Sequence, residues 1–433
     1  MQTKYLIIGS SHAGLNAADE IRVYDEEGPI TMISMENCLP YSPTVLPYII
    51  SDKVEEKNIY LRDEKYFQEN KITFLKGTKA VGVDTKASKV LSSDGSEIGY
   101  EKLLVSTGST PIIPPISGLE ESSYHVLQTM EDAHKINQAA KTAKSAVILG
   151  TGLVGMHAAE SLAKKGLKVE LVRGRRPAVL PNYFDKEAGK LIHKVFLENG
   201  VLCNLNNRAG QVESLNGKSK IILKDGNPLE ADLLLVGTGV RSRIDFIANS
   251  GLQMDKGIVV DNMMRTSVEN VWAAGDVAQA DDFFSDKKIL NGILPDAFEQ
   301  GRIAGASMAG KEIGILNLPE VAEKDISFPY AGGLSMNTFN FYENRAFSVG
   351  MSVPEDEEGY EIDKMLLPTG CMYQKMVFKD SCLVGFFGIN VPLEPGIIMN
   401  IIRRKVDMRS MKAEFAVNPL GVSRHIMWSS WRG

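Results

Sequence analysis

Cysteine is scarce and scattered: Cys38, Cys203, Cys371 and Cys382 are spread over 433 residues without one CxxC pair. Such spacing supports neither a zinc cage nor a thioredoxin-type dithiol, and reduced thiols in the cytoplasm are the plain expectation. Basic runs are missing too, the longest being Arg403-Arg404-Lys405. With a formal net charge of -6, nucleic acid and anionic membrane surfaces are not expected as main partners. No uninterrupted apolar run approaches the roughly 20 residues of a spanning helix, so no membrane insertion is expected. The apolar stretch Tyr5 to Ile8 breaks at Gly9, too short for a secretory signal, and reads as a buried strand.

What is present points to two or three soluble domains, with 44% hydrophobic and 24% charged residues. After the first strand comes Gly9-Ser10-Ser11-His12-Ala13-Gly14, then a helical pattern through Ile21. This is a GxGxxG frame with Ser11 in its middle place. Small residues let the backbone approach a pyrophosphate, whose charge meets the amides of a helix N-terminus. A second strand, Ile30 to Ser34, leads to Glu36, where a carboxylate can accept hydrogen bonds from ribose hydroxyls.

The same grammar recurs. Ser145 to Leu149 is a strand, Gly150-Thr151-Gly152-Leu153-Val154-Gly155 is a complete GxGxxG, and Met156 to Lys165 is helical. Two such units imply two dinucleotides, hence electron transfer between a nicotinamide and a flavin. The strand after the second unit ends in Arg173, with Arg175 and Arg176 beyond. Arginine can pair with a ribose 2′-phosphate, but a solvated basic loop reads the same way, so NADH and NADPH both stay open.

Three further stretches carry a resemblance. They are Leu103 to Pro111, Leu233 to Arg241, and Asn270-Val271-Trp272-Ala273-Ala274-Gly275-Asp276-Val277. With the two glycine motifs they resemble the FAD-dependent pyridine nucleotide-disulfide oxidoreductases along essentially the whole chain. The resemblance implies an α/β fold of two Rossmann-like domains, for FAD and NAD(P), and a C-terminal α+β interface domain. It implies that Asp276 holds the flavin ribityl chain and that the helix in Pro295 to Arg302 aims its N-terminus at the flavin. Motifs and resemblance together place Gly9, Ser11, His12, Ala13, Gly14, Glu36, Ala80, Thr107, Gly108, Gly275, Asp276 and Ala297 at FAD. They place Gly150, Gly152, Leu153, Val154, Gly155, Arg173, Arg175 and Gly239 at NAD(P).

Leu39 to Pro43 with Leu46-Pro47-Tyr48 is similar to the nitrite and rubredoxin reductase branch, and a closer likeness points to flavoprotein subunits of 2-oxoacid (phenylglyoxylate-type) dehydrogenase complexes. That likeness implies an iron-sulfur or ferredoxin-like partner. Two departures matter. Thr44 stands where thiol-dependent relatives carry a redox cysteine, and Cys38, close to Glu36, reads as a small buried residue. His157 stands where many relatives place a glutamate near the nicotinamide; it is a weak catalytic candidate, because a lone helical histidine also reads as a packed residue. No metal site is expected.

The expected division is 1–112 and 243–320 for FAD, 113–242 for NAD(P), and 321–433 for a C-terminal domain used in homodimers or hetero-oligomers. The expected function is a flavoprotein subunit passing electrons between NAD(P)(H) and a protein acceptor. A thiol enzyme of the coenzyme A-disulfide reductase or NADH oxidase-peroxidase kind, and a flavin sensor without turnover, are the alternatives. After Gly310, strands are expected over Phe328 to Gly350 and Met372 to Gly388 and a helix over Ile397 to Lys405. Trp428 and Trp431 should dock on a partner or on the chain's own body.

Overall fold

A computed structural model describes residues 1–174, 178–215, 217–311, 329–354, 356–367 and 371–429. Arg175, Arg176, Phe328, Trp431 and the 320/321 boundary lie outside these residues. No helix among them is long and apolar enough to cross a membrane.

The first sheet grows around β1 (Gln2–Ile8), whose last four residues are all buried. Helix α1 (His12–Tyr24) follows, then β2 (Ile30–Ile33), β3 (Ile72–Leu75), β4 (Ala80–Asp84), β5 (Lys89–Ser92) and β6 (Glu97–Val105). Their order is β3-β2-β1-β6-β5-β4. The strands pair in parallel from β3 to β6, and continuous apolar runs suit them because both faces are covered. A short strand β7 (Ser109–Pro111) leads away.

The second sheet uses α2 (Met130–Ala140), β8 (Ser145–Leu149), α3 (Leu153–Lys164), β9 (Lys168–Arg173), α4 (Lys186–Glu198) and β10 (Val201–Leu205). An antiparallel meander follows, β11 (Ala209–Leu215), β12 (Lys218–Leu223) and β13 (Leu229–Ala231), and then β14 (Leu233–Val236). The parallel order is β10-β9-β8-β14. Strand β15 (Val240–Ser242) then pairs antiparallel with β7, so the outgoing and returning chains run side by side.

Back at the first sheet, β16 (Val271–Ala273) adds to β6 in parallel. Helix α5 (Leu294–Met308) lies tightly against α1: a Cβ on Gly301 would stand 2.4 Å from the Ala13 carbonyl oxygen, and one on Gly305 2.4 Å from that of Ala17. Small residues on both helices permit this approach, and it fixes where α5 begins.

Past α5, the described residues include an antiparallel five-stranded sheet of β17 (Met336–Phe341), β18 (Asn344–Gly350), β19 (Glu361–Leu367), β20 (Met372–Lys379) and β21 (Cys382–Ile389). Helices α6 (Pro395–Arg403), α7 (Lys412–Val417) and α8 (Pro419–Ser429) follow. Strand β19 and the last two helices have no counterpart in the sequence expectation. Trp428 is 57% exposed.

Candidate functional site

The carboxyl ends of β1 and β8 open on one cleft of about 1870 Å³. Single-ligand pockets reach ~1,000 Å³, so this one has room for more than one large molecule.

The two glycine turns have matching local geometry. Gly9 and Gly150 sit at φ +113° and +120°, where a side chain is strained. Ser11, His12 and Ala13 line the cleft at the start of α1, a helix with no side-chain cap and no acid in its first turn. Its first amides therefore remain available to an anion. Gly152, Leu153 and Val154 occupy the same places at α3, and a Cβ on Gly152 would meet nothing within 4 Å. Gly14 and Gly155 sit behind the turns instead. A Cβ on Gly14 would lie 2.0 Å from the Gly9 oxygen, and one on Gly155 2.4 Å from that of Gly150. Their part is helix-on-strand packing, not contact with the cleft.

Glu36, Ala80, Thr107 and Gly108 line the cleft as well. The Glu36 carboxylate accepts from the Tyr41 hydroxyl at 2.8 Å and the Met130 amide at 3.0 Å. About four acceptor positions on two oxygens leave capacity for further donors. Thr107 Oγ1 donates to the Arg243 carbonyl at 3.1 Å. Gly275 donates its amide to Gln300 Oε1 at 2.8 Å. Asp276 accepts from Ser109 Oγ at 3.0 Å, and burial raises its pKa. Ala297 enters from the first turn of α5.

Arg173 and Gly239 line the cleft, and Arg173 Nη1 donates to Thr151 Oγ1 at 3.2 Å. Four cations of the cleft escaped the sequence reading, Lys79 beside Ala80 being one. Arg208 and Lys224 are brought together at the end of the meander by the Lys224 amide bonding the Arg208 oxygen at 2.9 Å. No local pattern marks them. Arg243, whose Nη2 donates to the Ser109 oxygen at 3.0 Å, lies two residues past the noted Arg241 and was within reach.

No cysteine lines the cleft. Thr44 does, hydrogen-bonded to Ser42 at 2.9 Å between hydroxyls. Cys38 packs against a neighbouring apolar cluster, and burial, helped by the Glu36 charge, pushes its thiol up to about 12. It stays protonated near neutrality. His157 reaches the cleft with its ring edge-on to Phe339 at 4.8 Å; burial lowers its pKa, partly offset by Glu160. Glu160 itself is engaged, accepting from Lys164 at 2.6 Å and the Tyr342 amide at 2.8 Å. Among the described residues, no group of three or more His, Cys, Asp or Glu could hold a metal ion.

Two helix ends with available amides, a Cβ-free approach at Gly152 and a buried carboxylate at Asp276 fit two dinucleotides. The family model for pyridine nucleotide-disulphide oxidoreductases matches residues 3–312. The NADH-dependent phenylglyoxylate dehydrogenase subunit epsilon of Aromatoleum evansii is 43% identical, with 99% of this chain and 98% of that protein aligned. Rubredoxin-NAD(+) reductase of Pseudomonas putida is 29% identical over 70% of this chain and 80% of its own. Putidaredoxin reductase, solved in covalent complex with putidaredoxin, superposes with a TM-score of 0.82 over 96% of this chain and 98% of its own, at 23% identity. The chain belongs to the pyridine nucleotide-disulphide oxidoreductase family, and it is an FAD-dependent NAD(P)H oxidoreductase.

Proposed function

We propose that this chain is the nicotinamide-reacting flavoprotein of a larger 2-oxoacid dehydrogenase of the phenylglyoxylate type, exchanging electrons with an iron-sulfur or other redox protein. The observation that carries this reading is that no cysteine lines the cleft shared by the two glycine turns. The relative named as a phenylglyoxylate dehydrogenase subunit, aligned over nearly its whole length, supports the complex, and the rubredoxin reductase supports a redox-protein acceptor. FAD, when bound, supplies both hydride acceptance and stepwise electron release.

In this reading the α1 amides with Gly9, Ser11, His12 and Ala13 hold the FAD pyrophosphate, with Gly14 closing the turn behind them. Glu36 binds ribose, Asp276 the ribityl chain, and Ala80, Thr107, Gly108, Gly275 and Ala297 shape the walls. Gly150, Gly152, Leu153, Val154 and Gly239 hold NAD(P), with Gly155 closing the turn behind them and Arg173 at its adenosine end. His157 positions the nicotinamide. The division into 1–112 with 243–320, 113–242 and 321–433 is supported by the side-by-side crossing of β7 and β15. Four free cysteines support a cytoplasmic setting, and the exposure of Trp428 supports assembly through the C-terminal part.

The test is anaerobic reduction of the flavin by NADH or NADPH, then reoxidation by an iron-sulfur protein, with native and alkylated cysteines. Activity that survives alkylation supports the proposal. Loss on alkylation favours the thiol enzyme, and bleaching without reoxidation by any acceptor favours a sensor. The name of the Aromatoleum relative favours NADH. Against it, the described cleft residues between 113 and 242 include Arg173, Arg208 and Lys224 but no carboxylate. Arg173→Glu decides the arginine's role: an unchanged NADH/NADPH ratio removes it.

A further inference from the structure

Asp296 sits in the first turn of α5, among residues that line the cleft, yet is itself 0% exposed. Its Oδ2 accepts from Asn291 Nδ2 at 2.6 Å and from the Tyr330 hydroxyl at 2.7 Å. Its Oδ1 is enclosed without a partner. Tyr330 is anchored by its amide on the Asn262 oxygen at 2.8 Å, and a Cβ on Gly333 would stand 3.0 Å from Oδ2, so that side is closed. The charged groups facing this carboxyl are Glu299 on its own helix and Arg403 from α6, which bond each other at 2.7 Å. Burial pushes Asp296 up to about 7 against the pull of its two donors.

An ionised carboxylate here opposes the positive end of α5, whereas a neutral one leaves it intact. A carboxyl poised between these states, beside a site that gains negative charge, exchanges protons with it. We propose that Asp296 takes up one proton when the flavin is reduced and releases it on reoxidation. This rests on the reading of the cleft as an FAD site. Two electrons and one proton arrive as hydride from NAD(P)H, which leaves as NAD(P)⁺. The negative charge so added is met by one H⁺ from bulk water, which forms the O–H bond on Asp296.

The test is spectroelectrochemical titration of the FAD-loaded protein from about pH 5.5 to about 9, where proton coupling sets the slope of potential against pH. Above about 7 the wild-type slope should steepen by one proton per two electrons. Asp296→Asn should not steepen, should match the wild type at acid pH, and should lie above it at alkaline pH. Tyr330→Phe deletes a donor to the carboxylate and should move the break to higher pH. If Asp296→Asn fails to hold FAD, Tyr330→Phe decides the matter, and an unmoved break overturns the proposal. So do identical slopes in wild type and Asp296→Asn, or an offset equal at every pH. Failure of the wild type to bind FAD overturns the cleft reading instead.

Discussion

A carboxyl with no exposure and two donors is cheaper to keep neutral than charged, and that preference has a sign in stability. Asp296 moves from 3.8 to about 7 on folding. Between those values the unfolded chain binds fewer protons than the folded one, so stability falls as pH rises. The contribution is fully present below 3.8 and lost on passing about 7. At roughly 1.4 kcal/mol per pH unit this is on the order of 4 kcal/mol. FAD-free Asp296→Asn should therefore show a flatter urea midpoint between about pH 5 and about 7.5 than the wild type. Equal pH dependence of the two midpoints would dispose of the linkage. On the proposed reading Asp276 bonds the ligand instead: a hydrogen bond to a charged group contributes about 1.5–3 kcal/mol, so Asp276→Ala should weaken FAD binding roughly 10- to 150-fold in a fluorescence titration. Cys38→Ser should leave NAD(P)H-dependent dye reduction within about twofold, because a protonated thiol outside the cleft offers no nucleophile.

Between elements, the closeness of α1 and α5 decides where the α5 N-terminus points. Gly301→Val inserts a side chain where 2.4 Å is available and should lower stability by about 1–3 kcal/mol, with FAD lost on gel filtration. Gly396→Ala, in open space on α6, should hold or slightly raise Tm. Retention of FAD by Gly301→Val would separate helix packing from the site. This contact was not legible in the sequence, since it joins residues nearly three hundred positions apart. The two glycine turns were legible because strand, small residues and helix are contiguous in each. Even there, the sequence assigned Gly14 and Gly155 to the ligand, and only the distances to Gly9 and Gly150 show their packing role. Strand β19 alternates little, with most of its residues exposed, and α7 spans six residues, so neither gave a period to read. Arg208 and Lys224 meet through backbone pairing, which leaves no local signature.

On the scale of the whole molecule, the C-terminal sheet braces the half that carries the second glycine turn. Phe339 and Phe341 stack with Phe196 of α4 at 6.2 and 6.1 Å, and Phe339 also meets His157. Tyr373 donates to Asp185 at 2.9 Å, and the buried Lys375 lies 4.0 Å from the same carboxylate. The half that carries the first glycine turn is tied in as well, by Arg403 on Glu299, the Tyr330 hydroxyl on Asp296 at 2.7 Å and the Gly333 amide on the Asp281 oxygen at 2.8 Å. Because the aromatic joint lies against α3 and α4, weakening it should disturb nucleotide binding before flavin binding. Phe339→Ala removes a fully buried ring and should cost about 3–5 kcal/mol, read as a lower Tm. With α3 less firmly backed at His157, the KM for the nicotinamide nucleotide should rise severalfold while bound FAD per chain stays constant. FAD lost in step with the rise in KM would show that the C-terminal sheet holds both halves as one cooperative unit. A KM unchanged despite the lower Tm would mean that the joint serves stability alone.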